Sequence, residues 1–506
     1  MSKLGLSDVI KSYNAIKKIV ELNFKKRNID KVIDYVDVLA SLAAMFNWIF
    51  KDNEIEKLLE KIANESVKKN YTNFVPNHKK IVFYDQIGTS NCLALQYIRG
   101  LISADYEIFY IFESSSRRCS SNLINELKQY PNSKMLIIDS SKKDKIKQII
   151  DVYNEILQFQ PSKAILHSPA EGAFGVILWN ALSHIVRFRI VPGDHHFYLG
   201  LSCSDYFFEF RRWGYTTAIL KRDIDKNKII IQPYYPIIDN NKFYGLPEQS
   251  KDKIIIFSAG SFYKTYGEND IYFCVLKKIL QAHPQVIIYF AGGGFDVPFK
   301  KYIKSNGFQD RIILLGYRND LNMCIANSDI YLTTFPFTGG LTTQYAAYYS
   351  IPILSYTTQN LSINLIEDIL GGNRLKVEDK VTFTDLNIFF EYANELIIDR
   401  KFRLSEGLRM SKMLIKKEIF NKNLISALEN KNNEISFKEM VIDYSKSVDL
   451  YLNIENKYIP SLRFVLLEKF RLKFFFIFPW LLISTLFSKL FLSYFLNKAY
   501  INYKKH

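Results

Sequence analysis

Apolar positions along the chain follow two periods, and the change between them divides it. Up to about residue 76 they recur at three and four, as on one face of a helix, and predict helices over Val9 to Phe24, Ile29 to Phe50 and Glu54 to Val67. No longer period repeats here, so region 1–76 reads as a helical cap or packing element in preference to a separate binding module. From Lys79 short apolar runs replace the stripe, at Ile81 to Tyr84, Ile108 to Phe112, Met135 to Ile138, Ala164 to His167 and Phe188 to Val191. Helical stretches such as Cys92 to Leu101, Lys145 to Leu157 and Gly175 to Ile185 lie between most of them. Buried runs alternating with helices predict a parallel sheet covered on both faces. With strand-like runs at Asp205 to Phe210 and Lys228 to Ile231, residues 77–235 form a Rossmann-like domain that lacks a GxGxxG in its first turn.

Pro233, Pro236 and Pro247 in a polar stretch mark a linker over 236–252. A second alternation then begins. Its strands are Ile254 to Ser258, Val286 to Ala291, Ile330 to Thr333 and Ile351 to Leu354, with a helix to about His283 and helices over Asp385 to Asn430. Residues 253–430 therefore make a second Rossmann-like domain, and 431–506 are further helices ending in an apolar and basic tail.

Composition narrows the class. A 48% hydrophobic and 15% aromatic content over 506 residues excludes a disordered chain and suffices for two cores. Five cysteines, odd in number and without CxxC spacing, imply neither a disulfide framework nor a zinc site, and point to a reducing cytosol. The amino terminus carries no secretory h-region. A net charge of +16 favours an anionic partner: a sugar nucleotide, an acidic lipid surface or a nucleic acid. Nucleic acid is the least supported of the three, because no helix-turn-helix, finger spacing or RNP-like strand accompanies the charge.

Candidate chemistry gathers in SDIYLTTFPFTGGLTTQYAAYYSIPILSY, residues 328–356, which reads as strand, glycine turn, helix, strand. A helix opening after Gly339-Gly340 offers unpaired N–H groups and the positive end of its dipole to phosphate oxygens, with Thr338, Thr342 and Thr343 as hydroxyl donors. A plain βα turn is the alternative. The run RIILLGYRNDLNMCIAN before it, together with this stretch, resembles the donor-binding half of GT-B glycosyltransferases, especially bacterial relatives of family 4; the likeness extends over about Lys80 to Asn430. It implies two Rossmann-like domains facing a cleft, with the diphosphate of a sugar nucleotide held by Gly339, Gly340, Leu341, Thr342 and Thr343. By the same resemblance Gly316, Tyr317 and Arg318 lie beside the nucleoside, and a basic residue after the domain's first strand, here Lys264, reaches the phosphates. Many retaining members carry two glutamates eight positions apart; the matching residues are Pro336 and Gln344, whose amide can still bond a ribose hydroxyl.

Ligands of such sheets sit beyond the carboxyl ends of the strands. In the first domain Gly88 and Thr89, in a loop that is either an acceptor contact or an N-capped turn, follow the first strand, and His167 ends another. The segment Val191 to Gly200, VPGDHHFYLG, delivers Asp194, His195 and His196 to the same edge, and DHHFYLG resembles the DH-x-F-x-LG element of bacterial surface-polysaccharide transferases. A histidine can take the proton of an attacking sugar hydroxyl; Asp194 can do the same or fix a neighbouring imidazole. His167 and His196 then contact the acceptor, the other reading of His167 being a histidine satisfied by packing and one hydrogen bond. A structural turn or a metal pair are the other readings of the two histidines, the latter without a third ligand at recognisable spacing.

In the tail, Phe474 to Phe487 is apolar all round but shorter than a bilayer span, and contains Pro479. Nine basic residues against Glu468 alone over 456–506 suit an interfacial anchor on an anionic leaflet; a re-entrant helix and burial as core are the alternatives. The expectation is a bacterial, cytoplasmic, peripherally membrane-bound glycosyltransferase in polysaccharide biosynthesis. It would move a hexosyl or N-acetylhexosaminyl group from a nucleoside-diphosphate sugar to a glycan or lipid-linked glycan hydroxyl, with no cofactor and no metal. A sugar-nucleotide 2-epimerase and a non-catalytic subunit of a glycan-assembly complex are the rival readings.

Overall fold

The computed structural model describes residues 3–69, 73–87, 93–113, 121–139, 142–238, 241–247, 252–358, 361–371, 380–431, 435–482 and 485. The chain divides into two compact units, residues 10–234 with 416–440, and residues 1–9 with 235–415 and 441–506.

In the first unit seven strands form one parallel sheet: β1 Asn77–Asp85, β2 Glu107–Glu113, β3 Ser133–Ile138, β4 Pro161–His167, β5 Val186–Ile190, β6 Tyr206–Glu209 and β7 Ile229–Ile231. Their order is β3-β2-β1-β4-β5-β6-β7, so the direction of winding reverses between β1 and β4, where Asp85 lies opposite His167. Helix Ala173–Ala181, AFGVILWNA, is buried at every residue. No single sheet face can hide a helix that is apolar all round. Helices Ile29–Phe46 and Asn53–Ser66 cover its other side, which makes the N-terminal helices a layer of this unit. Helix Ile29–Phe46 stops four residues short of the expected Phe50, because Asn47 takes the left-handed conformation at φ 52° and returns its N–H to Ala43.

The second unit holds β8 Ile254–Ala259, β9 Val286–Ala291, β10 Ile312–Gly316, β11 Ile330–Leu332, β12 Ile353–Tyr356 and β13 Thr382–Phe383, in the order β10-β9-β8-β11-β12-β13. The pleat sends Ile256, Ile288, Phe290, Leu332 and Leu354 into one core and Phe257, Tyr289, Tyr331 and Ile353 into the other. Each fully buried side chain of this size contributes about 1.5–3 kcal/mol. Winding reverses between β8 and β11. Helix Gly340–Tyr348 begins two residues earlier than the pattern indicates, with Gly340 inside it.

The expected domain limits shift in two places. Helix Lys417–Asn430 belongs to the first unit: Leu424 covers Gly100 of helix Leu93–Ser103, and Gln232 Nε2 donates to Phe420 O at 2.9 Å. Helix Tyr444–Lys457 then joins the second unit, where Lys457 pairs with Asp270 at 2.8 Å and the Tyr458 ring stacks on Tyr266 at 4.8 Å. Segment 431–506 is thus divided, and residues 1–9 fold with its later part, Leu4 N–H bonding Asn456 Oδ1 at 2.8 Å. Amphipathicity marks these helices, but only side-chain fit assigns them to a sheet.

Among the described residues no helix is long and apolar enough to cross a membrane. Within the tail Phe470, Phe474, Phe478 and Leu481 are buried, while Leu472, flanked by Arg471 and Lys473, is 77% exposed and Phe476, three residues beyond Lys473, is 85% exposed. Most of the predicted apolar run beyond Leu482 lies outside the described residues.

Candidate active site

At the winding reversal of the second sheet the chain is built for close approach. A Cβ at Gly292 would stand 1.8 Å from the Gly260 carbonyl oxygen, so only glycine lets β8 and β9 end side by side there. Gly292 N–H bonds Gly316 O at 2.8 Å, which draws the end of β10 alongside; Gly316 is at φ 68°, with open space at its Cβ position. After β11, Gly339 caps helix Gly340–Tyr348 with no side chain, leaving its amino end without a side-chain acceptor. A Cβ on Gly339 would meet Thr342 Oγ1 at 2.6 Å. Lys264, after β8, reaches the same loop, Nζ to Thr338 O at 3.4 Å, and Asn364 Oδ1 steadies Thr338 N–H at 3.0 Å.

Several expected contacts are differently employed. Thr342 and Thr343 both donate their hydroxyls to Gly339 O, at 2.9 and 2.7 Å, and so brace the helix start. Thr338 Oγ1 has no hydrogen-bond partner among the described residues. Gln344 is buried with its Nε2 on Ile369 O at 3.1 Å, turned to helix Ile366–Leu370. Arg318 forks onto Asp320 with two 2.7 Å contacts and bonds Gly245 O, which fixes the turn before helix Leu321–Ala326 and commits the guanidinium. Tyr317 stands out at 76% exposure, and Leu341 is half-buried.

At the carboxyl end of the first sheet, after β5, Asp194 is buried and His195 Nδ1 lies 3.3 Å from its Oδ1, with the imidazole 31% exposed. Arg211 forks onto the same carboxylate, Nε to Oδ2 at 2.6 Å and Nη2 to Oδ1 at 2.7 Å. Burial opposes the charge of Asp194, yet Arg211 and then His195 prevail and hold its carboxyl well below the usual carboxylate range. A carboxylate so stabilised is a poor proton acceptor. Of the two roles open to Asp194, base or orienter, the geometry supports orienter: a proton held on His195 Nδ1 leaves Nε2 as the basic nitrogen. His196 is turned inward against Gly193, its Nδ1 2.9 Å from Phe197 O, and burial followed by the charge of His195 pushes its pKa down to about 3. Among the described residues no three His, Cys, Asp or Glu side chains gather as a metal-binding group.

His167 lies at the winding reversal itself, 2% exposed, with Nδ1 3.0 Å from Asp85 Oδ1. Asp85 Oδ2 accepts from Tyr110 OH at 2.7 Å, and His167 Nε2 has no hydrogen-bond partner among the described residues. Gly88 and Thr89 lie outside the described residues.

Sequence reading passed over the residues that hold the Asp194 loop. Arg222 Nη2 donates to Asp194 O at 2.7 Å and His196 O at 2.9 Å, on either side of His195. Glu56, from helix Asn53–Ser66, accepts from Gly200 N–H, Ser202 N–H and Ser202 OH at 2.7, 3.0 and 2.8 Å. Glu209 and Arg211 had one available signal, charged residues in and beside a short apolar strand, a pattern that solvated edges share, and Arg222 ends helix Arg212–Arg222 with no signal of its own.

No family model and no curated sequence matches the chain. Solved structures do resemble it. The O-GlcNAc transferase of Thermobaculum terrenum, in a mutant form, aligns with a TM-score of 0.54 at 14% identity, over 83% of this chain and 81% of that one. A glycosyltransferase from Rickettsia africae aligns at 0.50 and 13% identity, over 69% and 97%. The two-unit, two-parallel-sheet architecture is the GT-B fold.

Proposed function

We propose that the chain is a glycosyltransferase of the bacterial surface-polysaccharide kind, related to family 4, that moves a hexosyl or N-acetylhexosaminyl group from a nucleoside-diphosphate sugar to a hydroxyl of a glycan, itself lipid-linked. The observation that carries this reading is the cradle at the winding reversal of the second sheet: three strand ends drawn together by glycine, an uncapped helix terminus and Lys264. A helix amino end and a lysine suit a diphosphate leaving group and offset its charge without a metal. The nucleoside takes the side of Gly316 and Tyr317.

The Asp194–His195 dyad supports an inverting reaction. The acceptor hydroxyl gives its proton to His195 Nε2 as its oxygen bonds the anomeric carbon; the bond from that carbon to the phosphate oxygen breaks, and the nucleoside diphosphate leaves with the electron pair. Asp194 steadies the resulting imidazolium, and His167, at the winding reversal, stands on the acceptor side. The enzyme works on the cytoplasmic face of an anionic membrane, held there by its tail.

The test combines thermal shifts by UDP, GDP and CMP with nucleotide release from a panel of donors in the presence of membrane extract. One nucleotide is expected to raise the melting temperature. Lys264→Met should abolish that shift, and His195→Ala should lower release about 10²–10⁴-fold with the shift intact. No shift and no release would sink the reading; a shift without release from any donor favours a non-catalytic subunit.

A further inference from the structure

Behind His195 lies a second carboxyl that the transfer step does not use. Glu209, the last residue of β6, is fully buried, and neither of its oxygens has a hydrogen-bond partner among the described residues. It shares one small space with Asp194: measured from the position a Cβ would take on Gly214, Glu209 Oε2 is at 2.1 Å and Asp194 Oδ2 at 3.1 Å. Two carboxyls enclosed this closely cannot both ionise without a cation between them. Arg211 spends both arms of its fork on Asp194.

We propose that Arg211 is a positioning residue for His195, acting through Asp194: its fork makes Asp194, which lies beside the imidazole, and not the adjacent buried Glu209, the anion of the pair. The other groups around the pair reinforce that choice. Arg222 grips the carbonyls on either side of His195, and its guanidinium and that of Arg189 lie over the Tyr198 ring at 4.4 and 4.5 Å. The Tyr97 and Tyr234 hydroxyls, both raised by burial, lie near enough to Glu209 to be raised further by its charge. Burial, against the pull of Arg222, Arg211 and Arg189, pushes the Glu209 carboxyl up to about 8, so at neutral pH it holds the proton that Asp194 lacks. Without the Arg211 fork the proton can pass to Asp194, and the imidazole loses its counter-charge.

The inference rests on His195 as the base, but its test needs no substrate and so fails separately from that reading. In the full chain with ¹³C-labelled histidine, the His195 titration is followed by NMR and assigned with His195→Gln. Arg211→Met and Asp194→Asn should each lower its midpoint by about one unit, a tenfold loss of proton affinity, with Arg211→Lys recovering part of it. Glu209→Gln, a neutral isostere of the protonated acid, should leave the midpoint below pH 8 where it was. The same shift should appear in the acid limb of kcat. An unmoved midpoint in folded Arg211→Met overturns the proposal, as does a lowered one in Glu209→Gln. Should Arg211→Met not fold, Arg211→Lys and Glu209→Gln decide: a Lys variant identical to the parent counts against it.

Discussion

Gly292 follows β9 and Gly340 opens a helix, and an added methyl would meet very different surroundings at the two. At Gly292 it would lie 1.8 Å from a main-chain oxygen that cannot swing away, whereas at Gly340 the nearest atom is Ile369 Cγ2 at 3.6 Å, an ordinary contact. Gly292→Ala should therefore cost a few kcal/mol, of order ~2–4, and remove the nucleotide-induced thermal shift, while Gly340→Ala should stay within about 0.5 kcal/mol of the parent. Thermal melts with and without nucleotide check both; equal melts for the two variants would contradict the account. Residue types at the site were readable in the sequence, their employment was not. Thr342, Thr343, Gln344 and Arg318 are polar residues where a ligand is expected, and each is occupied by a neighbouring carbonyl or carboxylate. Asp194 kept its place beside His195 but not its candidacy as a base, because Arg211, seventeen residues on, sets its charge.

At the scale of elements, every predicted strand falls close to its apolar run, since a strand buried on both faces must be apolar along its length, while β10 Ile312–Gly316 formed where no strand was predicted. Helix Asn53–Ser66 was equally visible from its period, but not its second task. Its inner face carries Glu56 to the Gly200–Ser202 turn, where one carboxylate meets three donors. Removing it leaves the buried Gly200 N–H and the more exposed Ser202 N–H without this acceptor. Glu56→Ala should lower the stability of the first unit by about 2–4 kcal/mol and speed amide exchange at Gly200 and Ser202; Glu56→Gln should cost less. Urea denaturation and hydrogen exchange measure the two effects, and unchanged exchange at Gly200 would show that the turn stands without the helix. Short strands such as β13, two residues long, escaped the pattern because so brief a run has no period.

At the scale of the molecule, the tail sets a question of surfaces. Its apolar residues alternate between anchorage and exposure: Phe470, Phe474 and Phe478 are buried, and Leu472 and Phe476 are exposed in a stretch that also carries Lys469, Arg471 and Lys473. On the proposed membrane role, the chain should sediment with vesicles containing phosphatidylglycerol and not with neutral ones. Leu472→Ser with Phe476→Ser should weaken binding about tenfold or more, and raised salt should weaken it further. Binding that ignores vesicle charge would count against the role. By itself the sequence determined two parallel-sheet units, the strand ends where chemistry gathers, and the glycine turn that opens a helix at one of them. These follow from local rules, burial periodicity and the freedom of glycine, which act over a few residues. The tertiary structure alone decided which unit holds helices Lys417–Asn430 and Tyr444–Lys457, which polar groups are already bonded, and that Arg211, Glu209 and Arg222 surround the Asp194–His195 pair. Such choices depend on charges and shapes that lie on different elements and meet only in the fold, and local periodicity carries no record of them.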